Sequence, residues 1–339
     1  MIPVLPPTGE NLRLASRELA AGRLVSFPTE TVYGLGANAL DPVALARIFE
    51  AKRRPFFDPL IVHIADRRSL DAICAAGAHG TARAAALMDR FWPGPLTLVL
   101  PKADAVPDLA TSGLPTVAVR MPSHPVALAL IRMAGFPLAA PSANPFGRLS
   151  PTSAAHVRDQ FSDGIALILD GGPCQVGVES TILSLEGETP ALLRAGGVPR
   201  EDIESLIGPI ASAGAHPEKP LAPGQLPGHY APRTRMRLID AGGPASPGTE
   251  WAQTGANITK PKLGWLGFRS VPPGPFSAAE VLSPSGSLRE AAANLFACLH
   301  RLDRQGLDLI LAEPVAETGL GLAIMDRLRK AAAGSSEGT

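Results

Sequence analysis

Between Phe27 and Gly36 the chain reads Phe-Pro-Thr-Glu-Thr-Val-Tyr-Gly-Leu-Gly, which sets two hydroxyls, a carboxylate and a phenol within a few residues of one another. A segment that only had to reverse the chain needs none of Thr29, Glu30, Thr31 or Tyr33. Gly34 and Gly36 would let backbone N–H groups come close to a ligand, because a missing Cβ removes the usual clash. The pattern matches neither the phosphate loop nor the dinucleotide fingerprint. By itself it reads equally well as a ligand-binding loop or an ordinary turn.

Cations come next in chemical interest. Lys52, Arg53 and Arg54 run together ahead of Pro55, then Phe-Phe-Asp-Pro. Lys52 falls on the same helical stripe as Leu45, Ile48 and Phe49. It either complements the helix end or is aimed at a pocket bordered by that apolar face. Three cations before a break form a local anion site at most and a solvated helix end at least. Arg120 shares a strand face with Thr116 and Ala118, and an Arg buried there is costly without a carboxylate or phosphate partner, which could be another side chain. A second Arg, Arg194, precedes Ala195 and the glycine pair Gly196-Gly197. His63 on a sheet face reads more readily as a satisfied core residue than as a ligand.

Polar groups also cluster later in the chain. Residues 137–144 run through small residues into Ser142 and Asn144, leaving room for a planar ligand. Ser150-Pro151 looks like a second helix start whose N–H groups could meet a phosphate. Gly177-Val-Glu-Ser-Thr181 leads into a further strand.

Periodicity supplies the elements that would position these groups. Apolar runs predict strands over 24–27, 60–65, 95–100, 116–120, 165–170 and 181–185. Helices are expected from Asp41-Pro42 onward, over 69–74, 81–91, 124–133 and 201–207, and after Ser150-Pro151. After Gly208 the composition changes: residues 209–232 are rich in Pro, Gly and Ala, with neither period, and read as a stiff linker. Strands at 236–239, 263–268 and 307–312 then alternate with helices at 287–303 and 323–333, as in a small, mostly parallel sheet. Gly319-Leu-Gly-Leu-Ala323 reads as packing and turn geometry before the last helix.

The totals bound the classes. At 339 residues there is length for two domains, and 31 basic against 31 acidic residues give no overall field for nucleic acid. Cys74, Cys174 and Cys298 are three in number, far apart and without metal spacing, which implies reduced thiols and a cytoplasmic setting. No apolar run approaches the ~20 residues of a membrane span, and the first ten residues do not have the form of a secretory signal.

Taken in order and spacing, these motifs resemble the threonylcarbamoyl-AMP synthases, the YrdC-like family, in their long two-domain form. The resemblance rests on PTETVYGLG (28–36), the 52–54 cations before DPLIVHI, FWPGPLTL (91–98), TVAVRMP (116–122), APSAN (140–144), SPT (150–152), GVEST (177–181) and LLRAGG (192–197). HYAP (229–232) and GLGLAIMDRL (319–328) mark the long form. The fold it implies is α/β: a twisted mixed sheet with a deep concave groove, plus a smaller C-terminal Rossmann-like α/β domain. The catalytic domain would span 1–208, the linker 209–234 and the second domain 235–339.

The resemblance implies synthesis of L-threonylcarbamoyladenylate from L-threonine, bicarbonate and ATP with release of pyrophosphate, for the threonylcarbamoyladenosine modification of tRNA. Lys52 and Arg54 would be the catalytic cations. Threonine would be held by Thr31, His63, Arg120, Ala140 and Ser180. ATP would be held by Arg54, Asp58, Thr116, Ser142, Asn144, Ser150, Arg194 and Tyr230, with Mg²⁺ arriving on the nucleotide rather than in a protein-only metal site. Partners would be the tRNA-modifying threonylcarbamoyl transferase complex, with direct tRNA contact left open and no membrane. In this chain Asp58 stands where the family usually has Asn, Pro145-Phe146 replaces a Ser-containing turn, and Gln225-Leu-Pro-Gly228 replaces a more basic stretch. An alternative is a double-stranded-RNA or tRNA-binding module without catalysis, disfavoured by neutral charge and few aromatics. Carbamoyl transfer as in hydrogenase maturation uses a similar domain inside a much larger chain.

Overall fold

The computed structural model describes residues 2–212, 220–226, 229–239 and 261–334. They fall into two compact units, Met1–Phe146 with Ser150–Leu226 and Gly147–Leu149 with Pro227–Thr339. Residues 213–219 and 227–228 of the expected linker, and 240–260 of the second unit, lie outside the described residues.

In the first unit β1 (Val4–Leu5) leads into α1 (Gly9–Ala20), then β2 (Val25–Phe27) and β3 (Gly34–Asn38). Next come α2 (Pro42–Lys52), β4 (Ile61–His63), α3 (Leu70–Ile73), α4 (Ala82–Phe91) and β5 (Leu96–Pro101). After α5 (Asp108–Thr111) and β6 (Thr116–Arg120) the chain forms α6 (Pro125–Ala134), β7 (Leu138–Ala139), α7 (Ala154–Gln160) and β8 (Leu167–Leu169). It closes with β9 (Thr181–Ser184), β10 (Ala191–Arg194), α8 (Arg200–Ile207) and β11 (Ala211–Ser212). Among the described residues the strands form one mixed sheet in the order β1-β8-β2-β3-β7-β4-β6-β5-β9-β10-β11. Parallel β4–β6 pairing sets His63 opposite Arg120, and parallel β5–β9 pairing sets Thr97 opposite Ile182.

Local chemistry explains the helix ends that matter. Asp41 caps α2 by accepting from Val43 N at 2.9 Å, and Pro42 occupies the first turn. Leu45, Ile48 and Phe49 bury the inner face of α2 as their spacing predicts. Leu12, Ala15 and Leu19 of α1 pack with Ala127, Leu130 and Ile131 of α6 over Val25, Phe27, Leu167 and Leu169 of the sheet.

Three expectations are corrected here. Gly34 and Gly36 are not loop glycines: they sit in β3, antiparallel to β2. The turn is confined to residues 28–33, and a Cβ on Gly36 would stand 2.7 Å from the Phe27 ring. Glycine is therefore required by packing rather than by ligand approach. Ser150 does not start a helix either, because α7 begins four residues later with Ser153 as its cap, accepting from His156 N at 3.3 Å. Residues 211–212, expected to be irregular, extend the sheet as β11 beside β10.

The second unit holds β12 (Arg235–Leu238), β13 (Leu263–Gly267), β14 (Phe276–Val281), α9 (Leu288–Asp303), β15 (Leu309–Ala312) and α10 (Gly321–Gly334). Among the described residues its four strands are all parallel, in the order β12-β15-β13-β14. β14 escaped the sequence reading because its burial alternates and it lacks an unbroken apolar run. Gly321 is needed for close packing, since a Cβ there would meet the Ala316 carbonyl oxygen at 1.8 Å. Among the described residues no helix is long and apolar enough to cross a membrane.

Candidate active site

The end of α2 splits the cation triplet by backbone conformation. Arg53 adopts a left-handed φ of 50°, closing the helix while Arg54 N reaches back to the Phe49 carbonyl at 2.9 Å. Arg53 is left exposed, whereas Lys52 and Arg54 are buried. Lys52 thus does not serve as a solvated helix-end cation. Its Nζ donates to the Ser142 carbonyl at 2.5 Å and also to that of Asn144. Burial holds its pKa well below the usual amine value, and the neighbouring Arg54 charge acts in the same direction. Arg54 donates to the carbonyls of Asp58 (3.0 Å) and Pro59 (2.8 Å) and pairs with Asp58 Oδ2 at 2.8 Å.

A second corner forms around Arg120 at the end of β6. The turn 28–33 is tied by Thr29, whose Oγ1 accepts from Thr31 N and Val32 N and donates to Val32 O at 2.6 Å. Tyr33 N and Val176 N pin it to the rest of the unit, through Pro151 O and Glu30 O. So fixed, Thr31 Oγ1 accepts from Arg120 Nη1 at 2.9 Å, while Arg120 Nε donates to Gly94 O at 3.2 Å. Glu30 supplies the anion that a buried Arg needs, with Oε1 2.7 Å from Arg120 Nη2. His63 lies alongside on β4, its pKa pushed down to about 3 by burial and by the Arg120 charge. Ala140 closes this corner, its N–H donating to Ile61 O at 3.0 Å.

The third group joins β9 and β10. Arg194 donates to the Ser180 carbonyl through Nε (3.2 Å) and Nη2 (3.0 Å), and Nη2 also reaches Ser180 Oγ at 3.2 Å. Its Nη1 donates to Pro223 O at 3.0 Å, and Gln225 Nε2 donates to Leu193 O. Ala222 packs with Ile61, Val99, Ala118, Ile182 and Leu193, so residues 220–226 lie on the sheet face shared by β4, β6, β9 and β10. Ser150 Oγ donates to Glu179 Oε1 at 2.5 Å.

Thr97 and Glu179 are the polar partners that the sequence reading passed over. Thr97 Oγ1 is 2.7 Å from Ser180 Oγ, and a hydroxyl between Leu96 and Leu98 in an otherwise apolar strand was the available signal. Of the expected residues, Thr116 lies buried at the start of β6, roughly 13 Å from Arg120 at about 3.3 Å per strand residue. Tyr230 belongs to the second unit, where its ring is 5.7 Å from that of Phe296 and 5.3 Å from the Arg327 guanidinium. Separately, a cleft of about 640 Å³ lies along Arg47, Glu50, Arg53, Phe161 and Asp163, and none of the expected substrate residues lines it.

Comparisons with known proteins converge. The Sua5/YciO/YrdC family model, described as telomere recombination, matches residues 17–196. The model of the threonylcarbamoyl-AMP synthase C-terminal domain matches residues 198–333. Threonylcarbamoyl-AMP synthase of Pyrococcus abyssi is 47% identical over 94% of this chain and 93% of its own length. The Bacillus subtilis protein of the same name is 45% identical over 94% and 92%. The crystal structure of P. abyssi Sua5 complexed with L-threonine superposes with a TM-score of 0.87 at 43% identity, covering 98% of this chain and 97% of that one.

Proposed function

Because the chain belongs to the Sua5/YciO/YrdC family, in the form that carries the threonylcarbamoyl-AMP synthase C-terminal domain, we propose that it makes L-threonylcarbamoyl-AMP from L-threonine, bicarbonate and ATP, releasing pyrophosphate, for the threonylcarbamoyladenosine modification of tRNA. The observation that carries this reading is near-full-length identity of 47% to a protein of that name. It is an adenylate-forming, nucleotidyltransferase-type enzyme.

We assign a division of labour to these residues. Threonine is read by Thr31, His63, Arg120 and Ala140 at the Arg120 corner and by Ser180, which lies beside Arg194. Arg120 suits a carboxylate because a guanidinium offers paired N–H donors. The nucleotide is read in the first unit by Arg54, Asp58, Thr116, Ser142, Asn144, Ser150 and Arg194. Threonine's amine and bicarbonate yield a carbamate with loss of water. A carbamate oxygen then attacks the α-phosphorus, and pyrophosphate leaves with the electron pair of the broken P–O bond. Lys52 and Arg54 face the growing charge, so electrostatic stabilisation and alignment carry the rate, with no covalent intermediate. Asp58 is the carboxylate beside these cations and is already paired with Arg54. That arrangement fits a Mg²⁺ that travels on the phosphates of ATP and keeps its waters, better than a protein-built cage.

Residues 1–208 form the catalytic domain in this reading, 209–234 the linker and 235–339 a second domain. The strip 220–226, seated against Ile61 and Ala118 of the sheet, shields the short-lived carbamate from water. Three buried thiols suit a reducing, cytoplasmic setting. The product passes to a threonylcarbamoyl transferase complex, and any tRNA contact is through a local surface rather than net charge.

Pyrophosphate release from ATP, with threonine and bicarbonate omitted in turn, tests the reading. Both are required if it is right. Arg120→Ala raises the threonine requirement at least tenfold, and an unchanged requirement refutes the site.

A further inference from the structure

Glu30 is the one charged side chain of the 28–33 turn, and the proposed chemistry leaves it unused. It is 5% exposed, and its Oε2 is held by Ser123 N at 3.1 Å. That anchor directs Oε1 at Arg120 Nη2, 2.7 Å away. The contact is one of charge only: neither Oε1 nor Nη2 has a hydrogen-bond partner among the described residues. The other Arg120 nitrogens are committed to Gly94 O and Thr31 Oγ1. The free chain therefore holds a buried cation and a buried anion face to face, each with an unused hydrogen-bonding atom.

We propose that Glu30 binds the α-ammonium group of the substrate and makes the site selective for α-amino acids over the corresponding hydroxy acids. The inference rests on the threonine reading above and adds to it a residue that reads the ammonium group. An amino acid is a zwitterion whose two charges are as close together as those of Glu30 and Arg120. Its carboxylate takes the free Arg120 Nη2 and its ammonium takes Glu30 Oε1. One off-geometry contact is replaced by two charge-assisted hydrogen bonds. Charge balance points the same way. Arg120 with a zwitterion and no Glu30 would leave a net positive charge in a buried site, which is strongly disfavoured. With Glu30 the set is neutral. A site lacking that carboxylate would prefer a simple anion.

The test is calorimetric titration of the full chain with L-threonine and with 2,3-dihydroxybutanoate, in which a hydroxyl replaces the ammonium. Wild type favours threonine. Glu30→Gln, which keeps the size and the acceptor for Ser123 N, loses tenfold or more in threonine affinity while dihydroxybutanoate binds as well or better. Glu30→Asp, which keeps the charge, retains the preference. Equal losses for both ligands would show that Glu30 only props Arg120 and would overturn the proposal, as would an unchanged preference. Should Glu30→Gln fail to fold, Glu30→Asp and the wild-type preference still decide: no preference for threonine in wild type overturns it. A wild type that binds neither ligand removes the threonine reading itself, a result distinct from threonine binding that is indifferent to Glu30.

Discussion

Lys52, the last residue of α2, donates through Nζ to the Ser142 carbonyl at 2.5 Å, so a helix end and a loop ninety residues later share one ammonium group. Both of its hydrogen-bond partners among the described residues are carbonyls, and neither carries a charge. In the proposed reaction, phosphate oxygens would supply the negative charge that this buried amine lacks.

Replacing Lys52 with Met keeps the buried stem and removes the charge. Turnover should fall by roughly 10²–10³, the scale of losing one electrostatic contact to a transition state, with the threonine requirement changed less than threefold. Steady-state pyrophosphate release at varied threonine checks this. A Lys52→Met enzyme with near-normal turnover would remove Lys52 from the catalytic role.

His63 gives a prediction about pH. Its pKa in the folded chain is about 3, against an ordinary value of 6.5. The ring is therefore neutral through the physiological range, and threonine affinity should show no step near pH 6.5. Stability carries the opposite signature. The unfolded chain takes up a proton at His63 below about pH 6.5 and the folded chain does not, so this contribution is complete above 6.5. It is lost as pH falls toward 3, at up to about 1.4 kcal/mol per pH unit. Denaturant midpoints from pH 7 to 4.5 should fall more steeply in wild type than in a His63→Asn variant.

Asp58 places a buried negative charge 2.8 Å from Arg54. Asp58→Asn frees Arg54 for phosphate and should lower the KM for ATP several-fold. Breaking the buried pair should also cost stability, on the scale of 3–5 kcal/mol at most. Nucleotide titration and thermal melting separate the two effects, and an unchanged ATP KM would show that the carboxylate has no influence on the nucleotide.

How far the sequence reveals this site depends on the range of each interaction. Asp41-Pro42 announced α2 because capping is local, and the stripe of Leu45, Ile48 and Phe49 included Lys52 but left its role open. The need of Arg120 for an anion was legible from its place on a buried strand. That the anion is Glu30 was not, because the two meet through a turn and a strand ninety residues apart. Gly36 misled for a related reason: a glycine that admits a ligand and one that admits the Phe27 ring look alike until β2 pairs with β3. Ser150 misled because Ser-Pro is a good helix start, yet its hydroxyl is spent on Glu179.

The strip 220–226 offers the remaining prediction. Ala222 is wholly buried against Ile61, Ala118, Ile182 and Leu193, and Pro223 accepts from Arg194. A carboxylate cannot occupy that apolar position without losing its water, so Ala222→Asp should lift the strip from the sheet. Arg120, Thr31 and Glu30 are held by other contacts, so threonine should bind within about threefold of wild type. The carbamate, now open to solvent, would revert before attacking ATP. The KM for bicarbonate should therefore rise by about tenfold. Ala222→Gly, which leaves the position apolar, should behave as wild type. A normal bicarbonate KM in Ala222→Asp would mean that the strip braces Arg194 and shields nothing.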